Sequence, residues 1–223
     1  MNSGNEQNRQ SSMSGLTFFG KVTASVSHEL NNVIAIIDQT GGLLQDLIIG
    51  EEQGVPISTE RLGQAVSSIR KQTDRGLAII KRLNRFAHSA DSPIAEFDVN
   101  ETVSNLVDLT RRLADLKRVG LEFKPYPAVI SAVNNPFLLL QLLFAIIGLI
   151  LSSSGPDDKI ETGISGGETE FIITISGPGK VEYGESDWKE LRQLSQNLGG
   201  SVNVESGDDG IKFSISLPAR PQL

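Results

Sequence analysis

Apolar and small residues recur in steps of three and four at Leu16, Phe19, Val22, Val26, Leu30, Val33, Ile37, Leu44 and Leu47. That spacing is the stripe of an amphipathic helix that buries one side. It predicts a first helix over 16–49, weakened locally at Gly41–Gly42 because glycine costs helix stability. Gly54 and Pro56 mark a turn over 50–59. A second stripe, at Leu62, Val66, Ile69, Thr73, Leu77, Ile80, Leu83 and Ala87, predicts a second helix over 59–88. Two long amphipathic helices cannot fully cover each other's stripes. The pattern therefore predicts a four-helix bundle made of two hairpins in a symmetric homodimer.

Beyond the hairpin the pattern shortens. Residues 90–98 read as a linker, and Asn100 as the N-cap of a helix over 101–118 stopped by Gly120. Leu121 to Tyr126 reads as a strand. Asn134 or Asn135, ahead of Pro136, opens an apolar helix running to Leu151. Strands follow at 160–164 and 171–175 around a turn at 165–169, then a helix over 187–198. A strand at 201–205, a GDDG turn at 207–210 and a strand at 211–217 close the order. Helix, strand, helix, hairpin, helix, hairpin predicts an α/β sandwich with one helical face. The whole chain is then α+β: a polar lead over 1–15 expected to be disordered, a helical hairpin over 16–90, and a sandwich over 97–218.

Composition narrows the function. The 223 residues suffice for two domains, and 39% hydrophobic content can bury a core. The net charge of −7 argues against a nucleic-acid partner, and no basic cluster suggests an anionic membrane. Cysteine is absent, which excludes disulfides, thiolate metal sites and a cysteine nucleophile. His28 and His88 are the only histidines, too few for a His-rich metal site. The lead lacks the apolar core of a signal peptide, and the apolar run Phe137 to Leu151 is short for a membrane span. A cytoplasmic protein without a sensor region is expected.

His28 is the candidate for chemistry. It lies two residues from both Val26 and Leu30, so at helical pitch it points about 200° away from each, toward solvent. A histidine held out on a helix beside the carboxylate of Glu29 can serve as a nucleophile, although an exposed histidine is also an ordinary surface residue. The surrounding stretch SHELNN, from Ser27 to Asn32, resembles the phosphoacceptor box of the sensor histidine kinases of two-component signalling. His28, Glu29, Leu30, Asn31 and Asn32 fit that box, and Val33 stands where proline is usual. Most of the chain, from about Leu16 to Pro218, can be laid over that family's two-domain core. The sandwich resembles the ATP-binding domain shared with gyrase-type ATPases.

The resemblance also exposes departures. In the family, an apolar helix carries two asparagines, the second binding the magnesium that bridges the ATP phosphates. Aligned on Gln141, Leu142 and Leu143, those positions hold Ala145 and Leu149, and neither offers the oxygen ligand magnesium requires. The aspartate that receives the adenine amino group is replaced by Ile175, ahead of Gly177, Pro178 and Gly179. The lid and second glycine-rich box shrink to Lys180–Glu190, whose single Gly184 makes no phosphate cradle. No cofactor is therefore expected on this chain.

With the hairpin box kept and the nucleotide boxes lost, the chain is similar to the dimeric histidine phosphotransferases of phosphorelays. That resemblance implies phosphoryl transfer between His28 and the aspartate of a response-regulator receiver domain, with magnesium held by the receiver. Glu29 would hold the ring tautomer or take up its proton, and Asn32, one turn on at i+4, would orient a water that dephosphorylates the receiver. Two alternatives stand beside it: an inactive pseudokinase that docks or inhibits a partner, and an ATP-dependent histidine kinase.

Overall fold

A computed structural model describes residues 3–167, 169–179, 181, 184–207 and 210–220, with the backbone alone for 3–13. Helix α1 spans Ser3–Glu52 and α2 spans Thr59–His88. The lead expected to be disordered is thus helical from Ser3 onward. Once a helix is nucleated, each added residue gains a hydrogen bond at little cost, and no proline interrupts this one. The chain divides into two compact units. One runs from Thr23 to Asn84, and the other joins the segment before it to everything from Arg85 onward.

In the first unit, the two helices meet along a line of small residues. Val33, Ala65 and Ile79 are buried, and a β-carbon at Gly76 would lie 3.3 Å from Val33 Cγ1. Thr40 and Ser68 approach to 3.5 Å further down the pair. The buried line of α2 therefore differs from the aliphatic stripe read from sequence. Leu62, Val66, Leu77 and Ile80 are 37–62% exposed. Close approach is possible at alanine and glycine, and the bulkier stripe is left on one flank.

The second unit carries a five-stranded sheet in the order β2-β4-β5-β7-β6. Its strands are β2 (Gly120–Lys124), β4 (Lys159–Gly166), β5 (Glu170–Gly177), β6 (Ser201–Gly207) and β7 (Gly210–Pro218). Among the described residues, only β2 and β4 pair in parallel. Inward positions alternate as a half-buried sheet requires, with Ile160, Ile173, Ile175, Phe213 and Ile215 fully buried. Helices α3 (Val99–Asp115), α4 (Pro136–Ser153) and α5 (Glu185–Asn197) accompany it. At the β2–β4 edge, Lys124 bonds Glu161 at 2.8 Å and Lys159 bonds Glu122 at 3.1 Å. The first bond raises the Lys124 pKa and lowers that of Glu161.

Two short strands were not legible. β1 (Ala95–Asp98) pairs antiparallel with β3 (Ser131–Asn134), where the sequence suggested a linker. The N-cap of α3 is Asp98, whose carboxylate accepts from the Asn100 and Glu101 amides. Asn100 instead fastens a distant loop through Tyr126 and Ala128. The α4 cap is Asn135, accepting from Leu138 N at 2.9 Å, while buried Asn134 donates to Leu198 O. Asp208 and Asp209 of the GDDG turn lie outside the described residues, as do Met1, Asn2, Glu168, Lys180, Glu182 and Tyr183.

Both α1, over 14–52, and α4 reach the length and hydropathy of a membrane span. In α4 that composition serves a core, since Leu139, Leu142, Ile146 and Ile150 are buried to 1% exposure or less. Its first turns meet α1 and α2 within the same unit. Phe18, Phe19, Phe86, Phe137 and Phe144 cluster with ring centroids 4.9–6.2 Å apart. Buried Gln141 donates to Ser14 Oγ at 2.8 Å, and Ser14 bonds Glu190.

Candidate functional site

Val22, Val26 and Val33 fix the rotation of α1, since all three are buried at 1–3% exposure. At 100° per residue, His28 then points away from that line, and it is exposed. Asn32 is exposed too and lies one turn further on the same flank. Glu29 is half-buried and diverges from His28 by about 100°, and the two side chains form no hydrogen bond. The helix therefore brings His28 and Asn32 together and sets Glu29 apart. His88 is exposed at the end of α2, its Nδ1 2.8 Å from Asp91 Oδ2.

The charge around His28 is not what the bulk composition suggests. Helix α2 carries seven Lys and Arg against Glu60 and Asp74, a net +5 with His88 neutral. Since the chain totals −7, the rest sums to −12. These residues are spread along the sequence, and three of them, Lys71, Arg75 and Arg82, come to share one flank only when the helix is wound.

The positions aligned with nucleotide-binding residues do not fit ATP and magnesium. Ala145 and Leu149 on α4 are half-buried hydrocarbons. Ile175 is fully buried on β5, opposite Thr162 of β4. A β-carbon at Gly177 would lie 2.4 Å from Ile150 Cγ2 and 3.6 Å from Ile160 Cγ1, so hydrocarbon is packed tightly beside the Gly177–Pro178–Gly179 turn. Thr162 is 1% exposed, and its hydroxyl has no hydrogen-bond partner among the described residues. Among the described residues, no three His, Asp or Glu side chains are grouped to hold a metal ion.

This architecture is shared with solved structures. The catalytic domain of histidine kinase ThkA superposes with a TM-score of 0.53 at 15% identity, covering 59% of this chain and 100% of that one. A histidine kinase from Burkholderia phymatum STM815 gives 0.51 at 11% identity, covering 91% and 98%. The fold is that of a histidine-kinase core. ThkA in complex with the response regulator TrrA gives 0.50 at 16% identity, covering 98% of this chain and 67% of that one. No family model matches the chain. In sequence it is similar to the C4-dicarboxylate transport sensor protein DctB of Rhizobium meliloti (strain 1021), 23% identical over 225 residues. That match covers 91% of this chain and 35% of the relative, so the chain spans about a third of DctB's length.

Proposed function

We propose that this protein is a two-component signalling protein, a histidine phosphotransferase that exchanges a phosphoryl group between His28 and the aspartate of a response-regulator receiver domain without using ATP. The observation that carries this reading is a contrast within one histidine-kinase fold. The phosphoacceptor helix keeps an exposed His28 with Asn32 on its flank, while the nucleotide positions hold Ala145, Leu149 and a buried Ile175.

In the forward step, the lone pair of the unprotonated His28 ring nitrogen attacks phosphorus in line with the aspartyl oxygen. The N–P bond forms as the P–O bond breaks, and the aspartate leaves as a carboxylate beside the receiver's magnesium. The ring gains positive charge, which it sheds by releasing the proton of its other nitrogen to solvent. Positioning and charge stabilisation supply most of the catalysis in such a transfer. Asn32 would orient a water against the receiver's phosphoaspartate. In this reading the protein is cytoplasmic and acts as a homodimer, the second because Val66, Leu77 and Ile80 leave an aliphatic flank exposed on α2 and Ile34 does so on α1.

The test is transfer from labelled receiver domains of the same genome to wild type and His28→Ala, with ATP omitted. Label on wild type and none on the variant is expected. Label released as phosphate and abolished by Asn32→Ala would add phosphatase activity. A second reading, an ATP-dependent kinase, is favoured by the kinases that share the fold, and it requires His28 to become labelled from ATP alone. Binding of a receiver with no transfer would leave a docking module.

A further inference from the structure

The two flanks of α2 differ in chemistry. Gly76 and Ile79 face α1, being buried. At 100° per residue, Leu62, Val66, Leu77 and Ile80 fall to one side of that direction, and Lys71, Arg75 and Arg82 to the other, while Arg70 and Lys81 point outward. On α1, Ile34 and the pair His28–Asn32 likewise fall on opposite sides of Val33. For two right-handed antiparallel helices, these angles put Ile34 on the side of the aliphatic flank. His28 and Asn32 are on the side of Lys71, Arg75 and Arg82.

The register set by Val33 against Gly76 and Thr40 against Ser68 brings Arg82 level with Val26 and Ser27, within about one residue of His28. Arg75 and Lys71 continue the row for roughly 16 Å along the helix at 1.5 Å per residue. Both are exposed, and neither is ion-paired among the described residues.

We infer that Lys71, Arg75 and Arg82 form a cationic row that steers the acidic phosphoacceptor pocket of a receiver domain onto His28. This inference rests on the proposed function and names how its partner is recognised. A receiver brings carboxylates, and in the loaded state a phosphoryl group, toward a chain of net charge −7. On α1, Glu29, Asp38 and Asp46 add to the repulsion. Without local cations at His28 that approach is electrostatically opposed. Steering by such patches acts mainly on association rate and fades with salt. The row is short and begins at the phosphoacceptor, whereas the remaining −12 would repel an extended polyanion. A compact acidic pocket fits it better than a nucleic acid or an anionic bilayer.

The experiment compares two double variants of equal charge change on the same helix. K71E/R75E reverses the row, while R70E/K81E reverses the outward positions. Arg82 is kept because it already has a partner within the protein. Transfer rates from phosphorylated receivers and association rates with unphosphorylated ones are measured at low and high salt, with helicity checked by circular dichroism. K71E/R75E is expected to lower both rates about 10-fold or more at low salt, with the gap closing at high salt and the final extent of His28 labelling unchanged. R70E/K81E is expected to stay within about two-fold of wild type.

Equal losses in both doubles would mean that net charge alone acts, and would overturn the row. An unchanged K71E/R75E would overturn it while leaving the phosphotransferase standing. If wild type takes no label, association decides separately: slower receiver binding in K71E/R75E upholds the row although the relay has failed. Absence of receiver binding overturns it, as does a loss seen only with duplex DNA or anionic vesicles.

Discussion

Ile150 on α4 lies directly against Gly177 at the end of β5, with room for no atom between them: a β-carbon at 177 would be 2.4 Å from Ile150 Cγ2. Both ends of that contact are set by buried elements, Ile150 being fully buried and Ile160 flanking it. Gly177→Ala is therefore expected to destabilise the protein by about 1–3 kcal/mol through overpacking. Adding Ile150→Ala should recover part of that loss, so the two changes combine to less than their sum. Urea denaturation of the single and double variants measures this, and additive losses would show that the two residues do not press on each other.

Thr162 makes the opposite case. Its hydroxyl is buried opposite Ile175 without a partner among the described residues. Burying a hydroxyl unsatisfied is unfavourable, and replacing it by a methyl of the same shape removes the desolvation cost. Thr162→Val is expected to raise the stability by about 1 kcal/mol, read as a higher urea midpoint with unchanged slope. A loss of similar size would mean that the hydroxyl has a partner in solution.

The long-period features of this chain were legible in its sequence, and the short or convergent ones were not. Repeats of three and four over dozens of residues mark both helices, and the polar positions of SHELNN lie on the face opposite that stripe, where the structure leaves His28 and Asn32 exposed. The apolar character of Ala145, Leu149 and Ile175 is readable position by position, and the structure leaves the first two half-buried and the third fully buried. Strands β1 and β3 are four residues each, too short for alternation to register. Asp98 was passed over as a cap because Asn100 is an equally good capping residue, and only the distant loop at Tyr126 and Ala128 decides between them. On α2, the eye follows Leu62, Val66 and Leu77, yet small Ala65 and Gly76 set where the helices touch. The row of Lys71, Arg75 and Arg82 is invisible in a net charge and emerges only from the winding of one helix against another.

Phe86 ties the last turn of α2 into the sandwich unit. It is fully buried, with ring centroids 5.2 Å from both Phe18 and Phe19 and 6.2 Å from Phe137. Removing it leaves a ring-sized cavity among other rings. Phe86→Ala should cost about 3–5 kcal/mol, and Phe86→Leu clearly less. The accompanying change in near-ultraviolet circular dichroism should be large, because the aromatic cluster loses its central member. A loss under 1 kcal/mol for the alanine variant would show that the cluster closes over the gap.

The aliphatic flank of α2 gives the proposed dimer a direct test. Val66 and Leu77 are 55% and 62% exposed in the single chain, an arrangement that a second hairpin would cover. In a symmetric dimer each substitution acts at two equivalent places. Placing a carboxylate at Leu77 forfeits the burial of one aliphatic side chain per protomer, about 1.5–3 kcal/mol each. Leu77→Asp should therefore raise the dimer dissociation constant by roughly 10² to 10⁴, with Val66→Asp acting in the same direction. Sedimentation equilibrium across a concentration series reads this, and Lys71→Gln, on the opposite flank and with the same change of one charge, serves as the charge-matched control. Helicity should fall along with dimer content, since the exposed flanks lose their cover. A wild-type chain that sediments as a monomer at every concentration would refute the four-helix bundle.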